Sequence, residues 1–244
     1  MNYLQLNSFK KGNDFIKFQE GKFEVVFSTA ENNKSFNRNT EEGIKELEAL
    51  IDKFHGENVE YLKQIHSNKV YTYRKGSNEF KDNEGDALIT NEKKVIIGVF
   101  TADCVPVILV DKENEAIAAI HSGWKGTFSS IVTETILRMK EEYNSKAENI
   151  VAYIGPHIRQ CCYEVSEDLK EQFLKKFDIE KDKLFDGRNL SLEECINNDL
   201  INSGVLEQTV KKKSNYILIE KVMELMDDYF RLYILKNKRG KKDG

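Results

Sequence analysis

Three apolar segments at the centre of the chain constrain its fold more than anything else: 95–100 (VIIGVF), 105–110 (VPVILV) and 116–121 (AIAAIH). Each has the length of a strand and is too short for an ordinary helix. Apolar residues fill successive positions rather than alternate ones, so both faces of these strands should be covered. A chain of 244 residues can supply that cover within one domain. No repeat, low-complexity block or Pro/Gly/Ser-rich linker divides it.

The flanking segments read as mixed structure. Phe23–Ser28, Ile150–Ile154, 61–66 and 70–73 have the β-branched and aromatic content of strands. Thr40 can cap a helix to Phe54, with Ile44, Leu47, Ile51 and Phe54 as its apolar stripe. The spacing of Phe128, Val132, Thr135, Ile136, Met139 and Tyr143 predicts a helix over 127–143. Ser166 and Ser191 can cap two more, the last ended by Gly204. Strands cluster and helices do not strictly alternate with them. The expected class is therefore α+β, a layered α/β sandwich with mixed sheets in a single domain over 1–244. Residues 236–244 (KNKRGKKDG) read as a flexible basic tail.

Charge and hydropathy exclude some functions. The net charge of -4 gives no general attraction to nucleic acid. No apolar run approaches the roughly 20 residues of a membrane span. The segment MNYLQLNSFKKGND lacks the apolar centre of a signal peptide, so a cytoplasmic location is expected. The four cysteines are then expected as thiols or ligands rather than a disulfide framework.

Two motifs carry candidate chemistry, TADCVP around Cys104 and AIHSGWKG around His121. The strands that hold them should form a hairpin. A loop over 111–114 would set Val110 opposite Glu115 and Cys104 opposite His121, on one face of the sheet. His66, in QIHS, is a third donor. Two imidazoles and a thiolate with a free fourth position is a catalytic rather than a structural set. Zinc is the default ion, and copper also suits these ligands. Gly123 and Gly126 allow a tight turn before a helix start, where Lys125 would favour an anion. Asp103 and Asp86 are the carboxylates that could orient a histidine or move a proton, and Asp103 is the better placed. Asp86 could simply close a turn. His157, Cys161 and Cys162 read as structural or pocket-lining, and His55 as a helix-end residue. A rival reading makes Cys104 the nucleophile of a metal-free hydrolase.

The motifs QIHSNKV, GDALIT, TADCVPVIL, AIAAIHSGWKGT and YIGPHIRQCCYEV resemble, in order, those of the YfiH-like "laccase-domain" family, from about Val25 to Val205. That resemblance implies a layered α/β sandwich and a metal site at His66, Cys104 and His121. It implies phosphorolysis of purine nucleosides (inosine, guanosine, adenosine, methylthioadenosine), with adenosine deamination as a second activity. Asp103 would join the catalytic set, and Gln64, Gly123, Lys125 and Gly126 would contact the nucleoside or phosphate. The partners would be small molecules, with no nucleic acid and no membrane. An older reading of such proteins as copper-dependent polyphenol oxidases needs several copper sites, which four histidines cannot furnish. The chain departs from the family in three places. Lys125 stands where Arg is usual, His157 stands where many relatives carry a small residue or Cys, and the family's C-terminal pattern is not recognisable after about Gln208.

Overall fold

The computed structural model describes residues 14–29, 34–77, 80–212 and, as backbone, 231–237. In chain order the strands and helices are β1 (Phe15–Glu20), β2 (Phe23–Ser28), α1 (Glu41–Lys53), β3 (Asn58–Glu60), β4 (Val70–Thr72), β5 (Ala87–Thr90), β6 (Val95–Thr101), β7 (Val105–Asp111), β8 (Ala116–Ser122), α2 (Trp124–Phe128), α3 (Ile131–Tyr143), β9 (Ile150–Ile154), α4 (Glu167–Lys176), α5 (Lys181–Leu184), β10 (Phe185–Asp186), β11 (Asn189–Leu190), α6 (Leu192–Asn202), β12 (Val210–Lys212) and β13 (Arg231–Asn237). One mixed sheet has the order β1-β2-β13-β6-β3, and the other β12-β9-β7-β8-β5-β4. A two-stranded ladder, β10-β11, lies apart.

Three apolar cores show how these elements stack. Val25, Phe27, Ile97 and Val99 of the first sheet meet Leu88, Ile108, Val110, Ile117 and Ala119 of the second. On the outer side of the first sheet, Val26, Ile96 and Phe100 pack with Leu47 and Leu50 of α1 and with Phe54 at its C-terminal cap. On the outer side of the second, Val107, Leu109, Ala118 and Ile120 pack with α3, α4 and α6 through Val132, Met139, Phe173, Ile196 and Leu200. The order is helix, sheet, sheet, helices, so the α+β layered sandwich is the observed class. The central strands are apolar at every position because consecutive residues enter different cores. Every residue of β6, β7 and β8 is buried.

Several local expectations change. The β7–β8 ladder pairs Asp111 with Ala116 and Pro106 with His121, a register two residues away from the expected one. The cause is Asp111. It stays in the ladder, and its buried carboxylate closes the 112–115 loop by accepting from the main chain of Glu113 and Asn114 and from Asn114 Nδ2. A shift of two preserves the face, so Cys104 and His121 remain on the same side, diagonal rather than opposed. The helix expected over 127–143 starts earlier and breaks. α2 begins at Trp124, and Ser130, at a φ of 55°, separates it from α3. Segment 61–66 is not a strand, since β3 ends at Glu60. The α1 stripe turns toward Leu50, leaving Ile44 exposed. Residues 236 and 237 end β13, which runs between β2 and β6, and 238–244 lie outside the described residues.

Candidate metal centre and its cavity

His66 lies in the loop between β3 and β4, Cys104 in the turn between β6 and β7, and His121 near the end of β8. One ligand atom from each lies within 4.8 Å of the others, and this is the one group of its kind among the described residues. The two imidazoles meet edge to face, with centroids 4.8 Å apart. Tetrahedral zinc at ordinary bond lengths needs ligand atoms roughly 3.3–3.7 Å apart. Side-chain rotation of about an ångström closes the set. The residues therefore fit a single metal ion.

The positions are enforced from behind by Asp86, which is fully buried just before β5. Its carboxylate meets Nδ1 of His121 at 2.8 Å. It also accepts from the main-chain N–H groups of Ile65, His66 and Ser67 at 3.3, 2.9 and 2.6 Å, and from the Ser67 hydroxyl at 2.7 Å. Three successive amides around one anion form a nest, and the left-handed φ of 60° at His66 lets the chain curl around it. Burial by itself would raise the Asp86 carboxyl, but these donors, His121 first, outweigh it and hold the group below the usual carboxylate range. An ionised carboxylate only accepts, so His121 carries its proton on Nδ1. Its Nε2 lone pair is left for a metal, the arrangement in which an outer carboxylate fixes a ligand's tautomer.

Gly123 follows β8 and leaves room that no other residue would. A Cβ there would sit 2.7 Å from His66 Cδ2 and 2.9 Å from Cys104 Sγ. Burial pushes the Cys104 thiol up to about 11, and Asp103 and Asp86 add to it. Burial also lowers the His66 imidazole, with His121 and then Lys125 acting the same way against Asp86.

These groups stand at one wall of a cavity of about 540 Å³. Asn37, Arg38, Asn39, Leu62, Gln64, Phe100 and Asp103 line the rest of it. That volume suits a small organic substrate. Asp103 is exposed at the rim, whereas Asp86 holds the histidines, so the sequence ranking of the two carboxylates is reversed in the orienting role. Gln64 spends its carboxamide on the main chain of Phe100, with 2.7 Å bonds to both N–H and C=O. It stands in for a neighbouring strand and anchors the loop that ends in His66. Gly126 is buried within α2, while Lys125 is exposed, its Nζ 5.6 Å above the Trp124 ring. Arg38 was not anticipated. It donates to the carbonyls of Leu62 and Lys81, 24 and 43 residues away, so only tertiary folding brings it to the cavity.

His157 is not part of the group. Its Nδ1 donates to the Gly155 carbonyl at 2.7 Å, and its Nε2 lies 3.5 Å from Glu193. His55, at the end of α1, also lies outside it.

Residues 18–218 match the family described as multi-copper polyphenol oxidoreductase laccase. The chain belongs to this family. Within the laccase family, it is 46% identical over 182 residues to a purine nucleoside phosphorylase of Clostridium acetobutylicum, a match covering 75% of this chain and 76% of that one. A purine nucleoside phosphorylase of Bacteroides thetaiotaomicron is 50% identical over 95 residues, covering 38% of this chain and 35% of its own. In fold, the chain resembles the Bacillus licheniformis protein YfiH with a TM-score of 0.83 at 19% identity, covering 95% of this chain and 100% of the other. YlmD from Geobacillus stearothermophilus gives 0.82 at 16% identity, covering 95% and 98%. No helix among the described residues is long and apolar enough to cross a membrane.

Proposed function

We propose that this chain is a purine nucleoside phosphorylase whose cavity is built around one metal ion, held by His66, Cys104 and His121. The observation that carries the reading is the convergence of three ligand atoms, with Asp86 fixing the tautomer of His121, at the wall of a cavity of substrate size. The name of the Clostridium relative supports the choice of reaction. Zinc is the ion this ligand set favours, and copper is the alternative. When bound, the ion would supply a Lewis acid at the cavity wall.

In phosphorolysis, a phosphate oxygen attacks the ribose C1′ while the bond to the purine nitrogen breaks, and that electron pair leaves on the base. The chain's own groups then have three tasks. Lys125, exposed beyond the residues that line the cavity but close enough to lower the His66 imidazole, supplies the cation for phosphate. Asp103, a carboxylate at the rim beside Cys104, lines the wall where the base departs and relays a proton from solvent to it. Asp86 keeps both histidines in place throughout. Inosine, guanosine, adenosine and methylthioadenosine are the proposed substrates, and hydrolytic deamination of adenosine would use the same cavity. A cytoplasmic location belongs to this reading.

The rival readings find less support. A metal-free cysteine nucleophile needs a thiolate, and burial with two carboxylates works against one at Cys104. A multi-copper oxidase needs further clusters of ligands, and two of the four histidines, His55 and His157, stand outside the single group found among the described residues. The test is to incubate the purified chain with inosine and phosphate, and to assay hypoxanthine and ribose 1-phosphate alongside metal content. Product formation that His121→Ala abolishes, with folding intact and metal lost, is the expected result. Absence of phosphate-dependent product from a metal-loaded sample would overturn the proposal.

A further inference from the structure

The proposed chemistry leaves unused a pair of adjacent cysteines at the surface. Cys161 and Cys162 are both exposed, in a short turn after β9, and their sulfurs lie 2.7 Å apart. Neighbouring main chain pins the turn from both sides. Cys162 N–H donates to the Arg159 carbonyl at 3.0 Å, and Leu190 N–H to the Tyr163 carbonyl at 2.9 Å. The Asn189 side chain donates to the Cys161 carbonyl at 3.3 Å. The two thiols therefore face each other on a fixed support. Cys161 also borders a separate cavity of about 410 Å³, lined by Arg159, Asp182, Lys183 and Glu193. Both residues are exposed, but Cys162 does not line that cavity, so a small disulfide seated there meets Cys161 first.

We propose that Cys161 and Cys162 form a reversible redox site that reacts with low-molecular-weight disulfides. The neighbouring Cys162 thiol holds Cys161 above the ordinary thiol range, so exchange is slow at neutral pH and quickens as pH rises. Once Cys161 has given its proton to solvent, its thiolate attacks one sulfur of the small disulfide from the cavity side. A protein–small-molecule S–S bond forms, and one small thiol leaves with its electron pair and takes up a proton. Cys162 then attacks the Cys161 sulfur and expels the second small thiol. The two cysteines lose two electrons and two protons, and the small disulfide gains them.

Neighbouring Cα atoms stand about 3.8 Å apart across a trans peptide, below the 4.4–6.8 Å usual for disulfides. The product bond is therefore strained and returns readily to the dithiol when a thiol reductant is present. That is the behaviour of a responsive site, not a structural crosslink.

The full chain is treated with oxidised glutathione, digested and mapped by mass. The wild type is expected to yield a 161–162 peptide two hydrogens lighter, with both thiols lost to alkylation and both restored by dithiothreitol. Cys162→Ser is expected to stop at a glutathione adduct on Cys161, and Cys161→Ser to react more slowly than Cys162→Ser. Thermal denaturation checks that both variants are folded. A stable adduct in the wild type, thiols at 161 and 162 that stay free, or the reverse order of reactivity in the variants would overturn the proposal.

Discussion

A single oxygen of Asp86, Oδ1, lies 2.8 Å from Nδ1 of His121 and 2.9 Å from the main-chain N–H of His66. One atom thus sets the ring of one proposed ligand and the backbone of another. Asn at this position keeps one acceptor but turns an N–H₂ group toward donors. Asp86→Asn is expected to lower metal affinity by about 10–100-fold, the usual cost of losing an outer carboxylate. Zinc titration with a competing chelator reads this directly. Wild-type affinity in the variant would show that the nest is dispensable.

Gly123 should tolerate no side chain. A methyl group would press on His66 Cδ2 at 2.7 Å and Cys104 Sγ at 2.9 Å, moving two proposed ligands at once. Its φ of -74° is ordinary, so backbone strain plays no part. Gly123→Ala is expected to lose metal and phosphorolysis together, while the unfolding midpoint measured without metal moves little from that of the metal-free wild type. Full metal occupancy in that variant would contradict the packing argument.

Where pattern and local chemistry determine structure, the sequence was sufficient. β2 and β9 have the expected bounds, Thr40, Ser166 and Ser191 cap the expected helices, and Gly204 takes the positive φ that ends α6. Cys104 and His121 stay together because the face of a strand survives a register shift of two, and His66 joins them from its loop through the Asp86 carboxylate. What is misranked or missed is non-local. Asp86 reads from the sequence as a possible orienting carboxylate but ranks behind Asp103, because it precedes a strand in the manner of any turn residue and nothing near it reveals that a nest over 65–67 closes on its carboxylate. Arg38 reaches the cavity only through carbonyls far along the chain. The register itself depended on whether Asp111 paired in the ladder or belonged to the loop, a choice made by its side-chain hydrogen bonds.

Asp199 gives a stability test away from the metal. It is buried in α6, and one carboxylate oxygen has no hydrogen-bond partner. Burial raises its carboxyl to about 6 from 3.8, with Lys176 and Ser130 opposing only in part. Below about pH 4 it is protonated in both folded and unfolded chains and contributes nothing. Between about 4 and 6 the folded chain holds the proton more tightly, so stability falls as pH rises, and the penalty is complete above 6. Asp199→Asn should stabilise the fold at pH 7 by on the order of 2 kcal/mol, a gain that vanishes near pH 4. Urea unfolding at both pH values measures it. An equal effect at the two would place the cause elsewhere.

Lys125 is the residue on which the proposed phosphate site rests. A charge-assisted hydrogen bond contributes about 1.5–3 kcal/mol, so Lys125→Ala should raise the KM for phosphate by roughly 10–150-fold. Lys125→Arg should lower that KM below the wild-type value, because a planar guanidinium can grip phosphate with two parallel bonds. Hydrolytic deamination consumes no phosphate. Any deamination of adenosine should therefore survive Lys125→Ala, separating loss of an anion contact from general damage to the cavity. Steady-state rates with phosphate varied at saturating inosine, and with adenosine in phosphate-free buffer, give both readings. A phosphate KM untouched by Lys125→Ala would move the anion to another cation, and Arg38, already at the cavity wall, is the one the structure offers.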